Sequence, residues 1–207
     1  GVYNHETSFG DYEILIEDSE FCNITESVCN INGAENFTAT NSSLKTIGSS
    51  GFVLQNTAST IKGCLFENIG NGYRGTKIVV SPFTGNGIYH EGEATHSLTT
   101  IQDSDPHAPK NKFEDVNCGI IVNGSSYNLQ GNMVQNAEFG IHVYNAALTS
   151  SNVIASNEIQ ANYIGVNLSQ NAGMTATIRD NIINCLSTYG TALEIDGNGG
   201  NITVMDN

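Results

Sequence analysis

Lysine and arginine are scarce in this chain: seven of them stand against 21 Asp and Glu, a formal net charge of −14. A chain of that sign repels phosphate backbones and anionic lipid surfaces, so nucleic acid and acidic membranes are not expected as partners. The acidic residues are dispersed rather than gathered into a tail, as on a solvated surface. No apolar run approaches the roughly 20 residues of a membrane-crossing helix, and the first residues do not read as a secretory leader. Apolar residues nowhere recur at a helical period, which excludes an architecture of amphipathic helices. The five cysteines, Cys22, Cys29, Cys64, Cys118 and Cys185, are odd in number and lack CxxC spacing. Neither a zinc site nor a complete disulfide framework follows, although Cys22 and Cys29 could pair across a corner. Tryptophan is absent and Pro occurs only three times, against 22 Gly, a balance suited to many tight corners.

What the chain does have is repetition. Asn111-Lys-Phe113, Asn132-Met-Val134, Asn157-Glu-Ile159 and Asn181-Ile-Ile183 are one phrase written four times, at spacings of 21, 25 and 24 residues. Repetition at that period specifies a solenoid. Earlier versions of the phrase place Phe21, Leu44 and Phe66 at the same step, and the residues between, such as Glu20, Lys45, Glu67, Lys112 and Gln135, are mostly polar. Alternate side chains therefore face solvent, and the phrase is a strand of period two. A second strand follows, usually just after a glycine (Gly51, Gly119, Gly140, Gly165), with inward pairs Phe52/Leu54, Ile120/Val122, Ile141/Val143, Val166/Leu168 and Leu193/Ile195. Val53, Ile121, His142, Asn167 and Glu194 are then expected to point outward. A third short strand precedes the phrase, at residues 98–101, 176–178 and 202–204. Three strands in a coil of about 23 residues leave no room for a helix-containing repeat.

This pattern resembles the right-handed parallel β-helix of the pectate-lyase-like superfamily, in particular its parallel β-helix repeat members, over residues 14–207. The resemblance implies an all-β fold, a right-handed parallel solenoid of about seven to eight coils with three short strands each. Counterpart strands then stack about 4.8 Å apart along the axis, so that like residues form ladders. Asn111, Asn132, Asn157 and Asn181 are expected to form an internal amide ladder with a structural role, because buried amides at a corner must be satisfied. Residues 1–13 are read as an N-terminal cap or linker. The chain stops at Val204-Met-Asp-Asn207, where the next phrase would begin. A piece of a longer chain is therefore expected, with neighbouring domains of that chain among its partners.

The period fails once. Phe66 and Phe113 lie 47 residues apart, and loops are expected at residues 70–86 and 102–110. This span holds Arg74, Lys77, Lys110 and Lys112, along with His90, His96, His107 and all three prolines. Loops on a rigid scaffold often carry function, and Tyr73, Phe83 and Tyr89 offer aromatic surface for stacking on sugar rings. Tyr73, Arg74, Lys77, Tyr89, His90 and Lys112 are accordingly the candidate ligand-binding residues. A divalent cation such as calcium is a candidate cofactor, with His90, His96, Asp103, Asp105 and His107 as its ligands: imidazoles suit zinc-like ions and carboxylates suit calcium. The HExxH spacing that would fix two of them on one helical face is missing. His142 stands alone and is expected to be solvated. Sequons at Asn23, Asn36, Asn41, Asn123, Asn167 and Asn201 arise readily in a chain so rich in Asn, Ser and Thr.

Two functions remain open. One is a secreted or cell-surface module, a glycan-binding, adhesive or structural scaffold whose partner is a polysaccharide or a surface protein. The other, implied by the resemblance, is a lyase or hydrolase acting on acidic polysaccharide. The polygalacturonase-like signature of Asn-Thr-Asp, Asp-Asp, Gly-His-Gly and Arg-Ile-Lys is absent, and no catalytic residue can be assigned. A lyase would need a base and a group neutralising the uronate, for which Arg74, Lys77, Lys112 or His90 would serve only if the loops fold back over the groove.

Overall fold

Each phrase pairs in parallel with the phrase one coil away: Phe21 with Leu44, then Phe66, Phe113, Val134, Ile159 and Ile183 in turn. All seven expected apolar residues thus occupy one column. Leu44, Phe66, Phe113, Val134 and Ile159 are buried, and Phe21 and Ile183, in the outermost coils, are partly so. The computed structural model describes residues 2–3, 10–70, 85–93, 95–100, 109–145, 152–169, 173–197 and 200–207. They form an all-β parallel solenoid of about seven turns without a helix.

Three stacks of strands make up the coils. The third-strand stack is an eight-stranded sheet running from Gly10–Glu17 through Ala34–Thr40, Ala58–Lys62, Leu98–Thr100, Tyr127–Gln130, Asn152–Ala155 and Thr175–Arg179 to Asn201–Met205. The first- and second-strand stacks join into one 13-stranded sheet, because Met133–Tyr144 and Glu158–Ser169 run unbroken through the corner between them. The 47-residue span makes a single coil. Leu65–Ile69 pairs directly with Lys112–Glu114, and Asn86–Glu91 and Leu98–Thr100 supply the second and third strands between them.

The corner before every phrase but that of Asn111 carries one left-handed residue, and the sequence supplies types that tolerate it: Asp18, Asn41, Gly63, Gly131, Ser156, Asp180 and Asp206 all have positive φ. Immediately after it the amide ladder closes the turn. Asn111 Nδ2 donates to Asn132 Oδ1 at 3.1 Å, Asn132 Nδ2 to Asn157 Oδ1 at 2.8 Å, and Asn157 Nδ2 to Asn181 Oδ1 at 2.9 Å. Asn207 extends the ladder by one rung, accepting from Asn181 Nδ2 at 2.8 Å. The side-chain oxygens also accept main-chain N–H groups one coil back, as Asn157 does from Asn132.

The glycines ahead of the second strands have a packing reason. A Cβ at Gly87 would lie 2.4 Å from Phe113, one at Gly140 2.4 Å from Ile159, and one at Gly165 2.1 Å from Ile183. The apolar residue of the next phrase fills the space that the missing side chain leaves. Along the axis Phe37, Phe52, Phe66 and Phe113 form an aromatic spine with centroid separations of 5.1, 5.3 and 4.7 Å. In the last described coil, Ile182–Cys185, Thr191–Asp196 and Asn201–Met205 each pair on one side.

Candidate ligand-binding face

The second-strand stack comprises Val2–Tyr3, Cys29–Asn32, Phe52–Gln55, Asn86–Glu91, Cys118–Asn123, the far half of Met133–Tyr144, the far half of Glu158–Ser169, and Thr191–Asp196. Two columns of side chains cover the outside of this stack. One runs Asn30, Val53, Tyr89, Ile121, His142, Asn167, Glu194, and the other Asn32, Gln55, Glu91, Asn123, Tyr144, Ser169, Asp196. Parallel register brings residues 22 to 36 apart in sequence into side-by-side contact.

The middle of the first column departs from the expected solvent exposure. Val53, Tyr89 and Ile121 are buried on the outer face, forming with Cys118 and Phe139 a second apolar cluster against which Tyr144 and Ile164 pack. Three consecutive rungs place apolar groups in register there, so they cover one another. Around this cluster lies a polar network. Glu91 accepts from Gln55 Nε2 at 2.9 Å and from Asn123 Nδ2 at 2.8 Å. The hydroxyls of Tyr89 and Tyr144 are 3.3 Å apart, and burial together with Tyr89 raises the Tyr144 phenol well above the ordinary tyrosine range. Farther along, His142 Nε2 lies 3.2 Å from Ser169 Oγ, and Asn167 Nδ2 donates to Glu194 at 3.1 Å. His142 is half-buried rather than solvated, and desolvation lowers its pKa.

The family described as right handed beta helix region matches over residues 26–207. The chain belongs to it. No curated protein and no solved structure matches the chain.

Within the β-helix, the candidate residues that are described do not meet. Tyr89 sits in the outer cluster, Lys112 stands on the first-strand stack with its ammonium 2.5 Å from Glu114, and His90 lies in the interior. Tyr73, Arg74, Lys77, Asp103, Asp105 and His107 lie outside the described residues, as does Phe83. His90 is fully enclosed, in the inward column between Leu54 and Val122. Its Nε2 is 2.8 Å from the Thr57 carbonyl and its Nδ1 2.8 Å from Ser125 Oγ. A carbonyl only accepts, so Nε2 carries the proton and Nδ1 accepts from the serine. Both ring nitrogens are thus occupied in the core, which removes His90 as a surface or metal ligand. His96 lies 3.4 Å through Nδ1 from the Glu93 amide. Among the described residues no group of three or more His, Cys, Asp and Glu could hold a metal ion. The cysteines are all free, so Cys22 and Cys29 are unpaired. Burial pushes the thiols of Cys29 and Cys118 up to about 12 and that of Cys64 to about 11, leaving no reactive thiolate at these three.

Burial also lowers the His90 pKa from 6.5 to about 4. Between those values the unfolded chain binds a proton that the folded chain does not, so stability falls as pH drops through this window. The expected loss between pH 7 and 4 is about 3 kcal/mol from this group. Urea midpoints of wild type and His90→Leu across that range should differ in slope by this amount. Parallel slopes would mean that His90 titrates normally.

The remaining residues of the face, Gln55, Glu91, Asn123, Tyr144 and Ser169, were within reach of sequence reasoning. Each lies two positions beyond an outward residue already named or stacked with one, and period two alone places it on the same side.

Proposed function

We propose that the β-helix is the scaffold of a glycan-binding module of a secreted or cell-surface protein, and that the outer face of the second-strand stack is its ligand surface. The observation that carries this reading is the registered array of Tyr144, His142, Asn123, Asn167, Glu91 and Glu194 on one sheet face, each of them at least partly exposed. Such a surface combines aromatic bodies with amide, hydroxyl and carboxylate groups held by a rigid sheet, the mixture that a polyhydroxylated ligand can use at low ordering cost. No described helix is long and apolar enough to cross a membrane.

Catalysis is the second reading. Cleaving a glycosidic bond needs two carboxyl groups roughly 5–9.5 Å apart. Glu91 stands four rungs from Asp196 in its own column, on the order of 19 Å at the usual strand spacing. Glu194 and Asp196, two residues apart on the last strand of the stack, are the neighbouring acidic pair that this reading would use. A glycan array followed by incubation with the polymers that bind tests both. The binding reading expects retention of a defined glycan set with no rise in reducing ends or unsaturated products. Cleavage abolished by Glu194→Gln would establish the second reading, and a chain retained by no glycan would refute the first.

A further inference from the structure

His142 and Asn167 face each other on adjacent rungs of the second-strand stack, and Asn167 in turn faces Glu194. Around them stand Ser169, 3.2 Å from His142 Nε2, and the ring of Tyr144, edge-on to the imidazole at 5.3 Å. Two atoms of this group, His142 Nδ1 and Asn167 Oδ1, are buried without a hydrogen-bond partner. Native structures rarely leave such atoms unpaired, since each costs its desolvation. Two of them on residues paired across adjacent rungs offer a ligand two hydrogen-bonding positions on one face.

A hydroxyl has the required chemistry. Where Ser169 donates to Nε2, the Nδ1–H donates to the hydroxyl oxygen, and the hydroxyl proton goes to Asn167 Oδ1. In the other tautomer Nδ1 is itself an acceptor, and two vicinal hydroxyls supply the two protons. A carboxylate fits neither case, because it brings only acceptors against Asn167 Oδ1 and a negative charge beside Glu194. Both residues are partly exposed overall, so a side-chain rotation brings the two atoms to the surface.

The charge of the whole face agrees. Its described strands carry Glu91, Glu194 and Asp196 and not one Lys or Arg. The described cations lie elsewhere: Lys45 and Lys112 on the first-strand stack, Lys62 and Arg179 on the third, and Lys110 beside Glu158 at 3.9 Å. A face of that sign repels uronates and tolerates neutral or amino sugars. We infer that the second-strand face selects a neutral or amino-substituted sugar polymer over an acidic one, with His142 and Asn167 as the pair that binds its hydroxyls. This deepens the glycan-binding reading and rests on it.

The test is calorimetric titration of wild type, His142→Ala, Asn167→Ala and, as a control on the first-strand face, Gln160→Ala. The probes are galactomannan, partly deacetylated chitosan oligosaccharide and polygalacturonate. Binding of the galactomannan or the chitosan is expected, about five- to tenfold weaker in each of the first two variants, as for one lost hydrogen bond. The control should bind as wild type does, and polygalacturonate should not bind. If an alanine variant does not fold, His142→Gln and Asn167→Gln, which keep bulk but displace the polar atom, are read in its place. Preference for polygalacturonate, or neutral binding indifferent to both positions, overturns the selectivity while leaving glycan binding standing. Binding of no probe, with an empty glycan array, removes both.

Discussion

Replacing Val134 with Asp should unfold the protein at room temperature. Val134 is fully buried in the phrase column, stacked between Phe113 and Ile159, with its methyl groups 3.0 and 3.2 Å from where a Cβ on Gly119 would sit. No cation is paired with that column, so the carboxylate would be buried uncompensated or forced to take up a proton. Losses above about 4 kcal/mol are typical of such a charge. In a solenoid the damage falls on both flanking interfaces, because each coil is held chiefly by its neighbours. Circular dichroism and size-exclusion chromatography check this, with Val134→Ala as the milder reference at about 2 kcal/mol. A Val134→Asp protein that is monomeric and melts within a few degrees of wild type would show that Val134 does not point inward.

The second large effect is expected at Asn157. Its Oδ1 accepts from the Asn132 main-chain N–H at 2.9 Å and side-chain amide at 2.8 Å, and its Nδ2 donates to the Leu129 carbonyl at 3.0 Å and to Asn181 at 2.9 Å. Leucine is close to it in shape and makes none of these bonds. Asn157→Leu would leave several buried partners unsatisfied, at about 1–3 kcal/mol for each group that finds no substitute. The expected total is on the order of 4 kcal/mol, read from the urea midpoint. Asn162→Ala, which removes a partly buried bond to Glu138, should cost less than about 1 kcal/mol on the same principle. Equal losses for the two would mean that the ladder is no more than a surface feature.

The columns were legible because two periods coincide. Alternation within a strand marks Phe113, Val134 and Ile159 as inward, and the coil length of 21 to 25 residues aligns them without any knowledge of the fold. The Asn ladder follows from the same alignment, since the amides recur one step before each apolar residue. The second-strand glycines could be located but not explained, because what excludes their Cβ atoms is the side chain of the following coil. His90 was misplaced for a related reason. Its neighbours Glu91, Glu93 and His96 suggest a ligand cluster, whereas its parity with Ile88 and its register with Leu54 and Val122 put it in the core. Periodicity likewise assigns Val53, Tyr89 and Ile121 to the outer side and says nothing of whether that side is wet. The pairing of His142 with Asn167 follows from aligning Ile141/Val143 with Val166/Leu168, but the burial of His142 Nδ1 and Asn167 Oδ1 depends on the side chains around them. No short motif carries that information.

Where a glycan touches the sheet decides most directly which stack of strands is the ligand face. Amide chemical-shift mapping of the isotope-labelled protein, titrated with oligosaccharides of the best-retained polymer, locates that contact. The shifts should cluster at residues 89–91, 121–123, 142–144 and 167–169, on the second-strand stack, and leave residues 43–47 and 175–179 of the other two stacks unmoved. Shifts confined to the first- or third-strand stack would contradict the assignment of the ligand face.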